Sequence, residues 1–179
     1  MAEKIQLEIV TPKGRALGEA VDEVTAPSVQ GEFGVLPGHL PTVAALRAGI
    51  VSYRQGNETK RVAVGAGFAE AGANKLLILA DEFAERASID PVVIRKELAE
   101  LQPKIDKVLA AMEASPELET EKKALVDREN WLAVQLELYG DPPLPTMRPF
   151  EEWGPPAPAY VLDQESSEPS AEGDAQNGS

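Results

Sequence analysis

No cysteine occurs among the 179 residues, which excludes disulfides and thiolate metal sites. Histidine is nearly absent: His39 stands alone, so multi-histidine metal sites and Cys–His dyads are excluded as well. Basic charge is scarce, with 17 Lys and Arg against 30 Asp and Glu and a formal net charge of −13. A surface that neutralises a nucleic-acid backbone needs clustered Lys and Arg. The same imbalance disfavours direct adhesion to anionic lipid headgroups. No apolar run approaches the roughly 20 residues of a membrane span. Met1-Ala2-Glu3-Lys4-Ile5 enters strand-like sequence without an apolar signal core, so a soluble, cytoplasmic protein is the expectation. No serine sits in a Gly-x-Ser-x-Gly setting, and no Gly-x-x-x-x-Gly-Lys-Ser/Thr loop is present to cradle phosphates. Acidic residues are plentiful, but Glu97, Glu100, Glu113, Glu117, Glu119 and Glu121 flank apolar helical stripes and read as solvated faces. No cofactor or metal is implied, and catalysis by this chain alone is not expected.

What is present falls into three textures. Residues 1–87 are rich in Val, Gly and short apolar runs between turn signals, the texture of an all-β domain. Lys4 to Val10 alternates, with Ile5, Leu7 and Ile9 on one face, until Thr11-Pro12-Lys13-Gly14 breaks it. Ala20–Ala26, His39–Leu46, Gly49–Tyr53, Arg61–Val64, Phe68–Ala71 and Leu76–Ala80 follow as further strands. Gln55-Gly56-Asn57-Glu58 is a turn that folds Val51–Tyr53 back on Arg61–Val64. So many short strands without an intervening helix predict a β-sandwich or flattened barrel.

Residues 88–140 change period. Asp90 can cap a helix that Pro91 opens. Ile94, Leu98, Leu101, Ile105, Val108 and Met112 then recur at spacings of four and three, a single apolar stripe. Pro103 lies inside that stripe and predicts a kink or break near Ala99–Gln102. Ser115 and Pro116 start a second helix carrying Leu118, Leu125, Leu132, Leu136 and Tyr139, which Gly140-Asp141-Pro142-Pro143 stops. Two such helices form an antiparallel hairpin. The remaining segment, 141–179, holds eight of the fifteen prolines and eight acidic residues against one Arg, net −7. That composition cannot bury enough apolar surface to offset ordering entropy, so a disordered acidic Pro-rich tail is expected.

The segment Gly31-Glu32-Phe33-Gly34-Val35-Leu36-Pro37-Gly38-His39-Leu40-Pro41 departs from this plain background. Gly31, Gly34, Pro37 and Gly38 punctuate Phe33, Val35, Leu36 and Leu40, so its path is specified rather than floppy. Residue chemistry alone leaves two readings open. One is a tight sandwich corner with buried Phe33 and Leu36 and a satisfied His39; the other is a binding loop.

Glu32 to Pro41 resembles the signature loop of the epsilon subunit of bacterial F-type ATP synthases. Three further segments resemble the same family in the same order: Leu7-Glu8-Ile9-Val10-Thr11-Pro12, Gly65-Ala66-Gly67-Phe68-Ala69-Glu70, and Leu76–Asp81 followed by Ala84-Glu85-Arg86-Ala87. The resemblance covers about residues 3–140, strongly over the first 87. It implies a β-sandwich followed by a helical hairpin in a non-catalytic rotor subunit of a proton-translocating ATP synthase. The sandwich would dock on the gamma subunit and the c-ring. The hairpin would either lie on the sandwich or extend along gamma into the alpha/beta catalytic head and inhibit ATP hydrolysis. By match to the motif, Glu32 and His39 are candidates at the lower rotor contact, with Gly34, Pro37, Gly38 and Pro41 shaping the loop and Phe33 counted with them in the subunit interface. Membrane association would come only through the complex, at the cytoplasmic face of the bacterial inner membrane.

Some members of that family bind ATP at the start of the first helix through Ile/Leu-Asp-x-x-Arg-Ala. Ile89, Asp90 and Arg95 are the candidates here. Val93 stands where the motif has arginine, and Arg95 comes two positions late, about 200° around the helix. That departure argues against nucleotide binding in this manner. A stand-alone small-molecule-binding or hydrolytic β-domain centred on His39 and Glu32 is the competing reading. It requires a concave apolar pocket beside His39.

Overall fold

A computed structural model describes residues 3–110 and 115–140. Ten strands come first: β1 (Ile5–Thr11), β2 (Gly14–Val21), β3 (Glu23–Ser28), β4 (Gly31–Val35), β5 (Thr42–Leu46), β6 (Gly49–Gln55), β7 (Glu58–Val64), β8 (Gly67–Ala71), β9 (Lys75–Ala80) and β10 (Phe83–Glu85). A 3-10 turn at Arg86–Ser88 leads to two helices, α1 (Pro91–Leu109) and α2 (Pro116–Tyr139). The strands form one sheet in the order β10-β7-β6-β3-β5-β8-β9-β1-β2, with β4 on the side of β3. All pairs are antiparallel except β1 with β9. Folded over on itself, the sheet is the expected sandwich.

Period-two alternation explains the interior. Ile5, Leu7 and Ile9 of β1 are fully buried, and so are Leu76 and Ile78 of β9, which run alongside in register (Leu7 with Leu76, Ile9 with Ile78). Val21, Val24, Val35, Val51 and Val64 complete the centre of this first core. The Gly56–Asn57 turn closes β6 on β7 with Gln55 opposite Glu58, as the sequence predicts. The strand expected over Ala20–Ala26 is instead two strands that part at Asp22. Its backbone N–H donates to the Arg54 carbonyl at 2.8 Å, and its carboxylate accepts the Gly56 N–H at 2.6 Å. A residue pinned twice to the β6–β7 hairpin becomes a corner rather than a strand interior.

Both helices begin, and α2 ends, where their signals place them. Asp90 accepts from the Val92 and Val93 N–H groups at 3.0 and 3.3 Å with Pro91 next to it, and Ser115 accepts from Leu118 at 3.2 Å ahead of Pro116. Gly140 closes α2 in the left-handed conformation, φ 99°. The break expected near Ala99–Gln102 does not occur, and α1 runs through Pro103. Pro103 and Ala99 both face solvent, so the carbonyl that the proline leaves unbonded can be hydrated. The buried side of the same helix stays anchored by Ile94, Leu101 and Ile105.

Strands and helices belong to one compact unit. A second core joins them: Ile94, Leu101 and Ile105 of α1, and Trp131, Leu132, Val134, Leu136 and Leu138 of α2, share a cluster with Ala63, Ala84 and Ile89. Ala48 and Ile50 border it from the sheet. The hairpin is thus folded down on the sheet around β6, β7 and β10. Of the stripe expected on α2, Leu132 and Leu136 are buried, while Tyr139 is 37% exposed. Trp131, Val134 and Leu138 bury a second side, because the last three turns of α2 lie between α1 and the sheet. Met112 and the acidic Pro-rich segment 141–179 lie outside the described residues.

Candidate docking site

The Gly31–Pro41 segment is half strand and half turn. Gly31 to Val35 pairs with Ser28 to Val24 as β4, closed by the two-residue turn Val29–Gln30. Ser28 fixes that turn, its hydroxyl donating to the Gly31 carbonyl at 2.7 Å and accepting the Gln30 N–H at 3.1 Å. Gly31 has φ 125°, a conformation that a side chain would strain. Val35 is fully buried and Phe33 packs against the core, so the strand half is anchored from below.

Leu36 to His39 is a type II turn. The His39 N–H donates to the Leu36 carbonyl at 3.1 Å, proline occupies the second position, and Gly38 takes φ 81° at the third. Gly38 N–H donates to the Ala73 carbonyl at 2.6 Å, tying this turn to the β8–β9 turn. His39 Nδ1 lies 2.7 Å from the Leu40 carbonyl oxygen, its own neighbour. Leu36 is 56% and Leu40 79% exposed. Burial of Leu36, which the plain-corner reading needs, does not occur. The turn, tied down by backbone hydrogen bonds, presents two bare leucines to solvent.

The structure separates residues that the sequence reading grouped. Glu32 is exposed at the second position of β4, about 13 Å of strand away from Leu36 at 3.3 Å per residue. The cavities around β1, β8 and β9 and between sheet and hairpin, each of roughly 550 Å³, are lined by neither Glu32 nor His39. The pocket-centred β-domain reading has no support in this geometry. Among the described residues, no group of three or more His, Asp or Glu side chains could hold a metal ion.

Ile89 and Asp90 also have evident structural work. Ile89 is buried in the second core and Asp90 caps α1. Arg95 is exposed on α1.

A second surface was not foreseen. On β5, β8 and β9 the row Ala45–Phe68–Leu79 continues to Val10 of β1, with Val43 beside Glu70 in the next row. Val43, Phe68 and Leu79 are 72%, 60% and 49% exposed, while Ala69 and Ala71 point inward. On β8 the large side chain faces out and the small ones face in, the reverse of ordinary burial. Lys75 and Glu8 rim this surface with a 2.8 Å ion pair that holds the Glu8 carboxyl below its usual range.

The β-sandwich places the chain in the delta/epsilon class. The family model described as "ATP synthase, Delta/Epsilon chain, beta-sandwich domain" matches residues 4–87. The chain is 48% identical over 87 residues to the ATP synthase epsilon chain of Maridesulfovibrio salexigens, a match covering 49% of this chain and 61% of that one. Against the ATP synthase epsilon chain of Syntrophobacter fumaroxidans, identity is 48% over 99 residues, covering 55% of this chain and 72% of the relative. A chain of the Euglena gracilis mitochondrial ATP synthase (OSCP/F1/c-ring) superposes with TM-score 0.59 at 24% identity, covering 74% of this chain and 81% of that one. At that identity the likeness speaks for the fold. The chain belongs to the ATP synthase epsilon chain family.

Proposed function

We propose that this chain is a non-catalytic central-stalk subunit of a proton-translocating F-type ATP synthase. In this role it couples a gamma subunit to a c-ring and restrains ATP hydrolysis through its helical hairpin. The observation that carries the reading is the bare face of Val43, Phe68 and Leu79, left open while the hairpin covers the sheet around β6, β7 and β10. Gamma is the occupant proposed for that face. The Leu36–Pro41 turn, with Leu36, His39 and Leu40 outward and Gly34, Pro37, Gly38 and Pro41 setting its path, is proposed to meet the polar loops of the c-ring. Glu32 and Phe33 would lie along its flank. No helix among the described residues is long and apolar enough to cross a membrane. Attachment at the cytoplasmic face of a bacterial inner membrane would therefore come through partners. Nucleotide binding through Ile89, Asp90 and Arg95 is not part of the proposal.

Co-expression with the gamma subunit tests the reading. Phe68→Asp with Val43→Asp should abolish co-purification, while the circular dichroism spectrum stays unchanged because both side chains are already solvated. Retention of gamma by a folded double variant would overturn the assignment of the face. Truncation after Ala87 should raise ATP hydrolysis by the assembled enzyme, and an unchanged rate would remove the inhibitory role.

A further inference from the structure

Arg128 of α2 reaches two carboxylates on two different elements. Its Nε and Nη2 lie 2.7 Å from Glu97 Oε1 on α1, and its Nη1 lies 3.2 Å from Glu82 Oε1 in the β9–β10 turn. One guanidinium therefore joins the two helices to each other and to the sandwich. The fork suits arginine, whose planar guanidinium holds its donors in a fixed geometry aimed in two directions at once. All three side chains are roughly 40% exposed, so the contacts are partly shielded from screening.

The apolar seam around this fork needs such a fastening. On the sheet side it is made largely of Ala48, Ala63 and Ala84, short side chains that offer little interlock, with Ile50 beside them. Trp131, one turn after Arg128, is buried in that seam. At the far end of the docked stretch the Arg86 guanidinium sits 5.9 Å from the centre of the Tyr139 ring. Residues 128 to 139 are thus pinned at both ends, whereas the first turns of α2 carry only the half-buried Leu118 and Leu125.

We propose that Arg128 is the latch of the folded-down hairpin, its bridge to Glu82 and Glu97 setting how often the helices leave the sandwich. The two partners are not equivalent. Burial pushes the Glu82 carboxyl above its usual range, with Arg128 and Lys13 pulling it back only in part. Removing Arg128 strands a partly desolvated carboxylate, while removing the Glu82 charge relieves that desolvation. The loss of Arg128 should therefore be felt much more than the loss of Glu82, and neutralising Glu82 should repair part of the damage.

Hydrogen exchange on the full chain reads this without any partner. In Arg128→Gln, amides of Trp131–Leu138 should exchange about tenfold faster, with β1, β8 and β9 unchanged. In Glu82→Gln the change should be below twofold, and the double variant should exchange more slowly than Arg128→Gln alone. Trp131 fluorescence, recorded with Trp153→Phe to remove the other indole, should shift to the red in Arg128→Gln. Unchanged exchange over Trp131–Leu138 would overturn the latch, as would acceleration spread equally over the sandwich strands or failure of Glu82→Gln to repair. Because this holds for the chain alone, it stands or falls separately from gamma binding. In the assembled enzyme, and resting on the rotor reading, Arg128→Gln should lower ATP hydrolysis at least twofold by favouring the released, inhibitory hairpin.

Discussion

Gly38 donates its backbone N–H to the Ala73 carbonyl at 2.6 Å, joining the turn after β4 to the turn between β8 and β9. The contact depends on Gly38 holding φ 81°, where nothing lies within 4 Å of an added Cβ. Substitution would therefore act through the backbone alone. Gly38→Ala should cost about 1 kcal/mol, the strain of an L-residue in the left-handed region. Urea unfolding should show a lower midpoint with an unchanged slope.

Gly67, at the start of β8, is a different case. A Cβ there would overlap the Leu79 carbonyl oxygen of the neighbouring strand, a backbone atom that cannot swing aside. Gly67 faces Leu46 on one side and Ala80 on the other, so displacement would disturb two ladders. Gly67→Ala should destabilise by roughly 3 kcal/mol or more, the range of substitutions that force backbone movement in a packed region. Thermal unfolding, or failure to recover soluble protein, would show it. Gly67→Ala and Gly38→Ala at equal midpoints would refute the distinction.

Legibility in the sequence followed the physics of each element. The Lys4–Val10 strand and the Gln55–Glu58 hairpin could be read because polar and apolar residues alternate and the turn chemistry is explicit. β4 was hidden, since Gly31 and Gly34 in five residues are turn signals, yet here they serve a short strand beside β3. The exposed face was hidden too. Phe68-Ala69-Glu70-Ala71 alternates, but the aromatic faces out, and alternation alone cannot say which side is covered. Trp131, Val134 and Leu138 escaped a single-stripe reading because α2 is buried on two sides. Arg128 carried no signal at all: its partners are 31 and 46 positions away, and only the folding-down of the hairpin brings them together.

Asp90 caps α1 with two accepted N–H groups and belongs to a stretch that resembles a nucleotide-binding motif in part. A structural role predicts that Asp90→Ala costs about 1 kcal/mol, the usual worth of such a cap. Asn should recover most of it. Differential scanning calorimetry measures this directly, and equal loss in Ala and Asn would point away from capping.

Pro103 interrupts the backbone ladder of α1 on its solvent side. Pro103→Ala restores an N–H that can reach the Ala99 carbonyl, and alanine has the best helix propensity. Because residue 103 is exposed, no packing is lost. The substitution should raise stability by about 1–3 kcal/mol and slow exchange of the amides around residues 99–107. A lower unfolding midpoint would show that the proline is instead required for the helix to lie on the sandwich.

Asp22 ties the β2–β3 corner to the β6–β7 turn through the Gly56 N–H, with Lys4 at 3.7 Å and Arg54 at 3.8 Å. That backbone hydrogen bond, aided by the two cations and opposed by some desolvation, lowers the carboxyl from its ordinary 3.8. A carboxyl depressed on folding adds stability above its unfolded pKa and loses that contribution as pH falls through the folded value. The unfolding midpoint should thus decline below about pH 4, with Glu8 and Glu23 adding to the slope because Lys75 and Arg54 depress them likewise. In Asp22→Asn the amide oxygen can still accept from Gly56, so the corner persists while one titrating group is removed. Stability at pH 7 should fall, and the acid limb should be shallower than in the parent chain. Chemical unfolding at pH 3 and pH 7 measures both quantities, and parallel profiles for parent and variant would show that Asp22 does not titrate with folding.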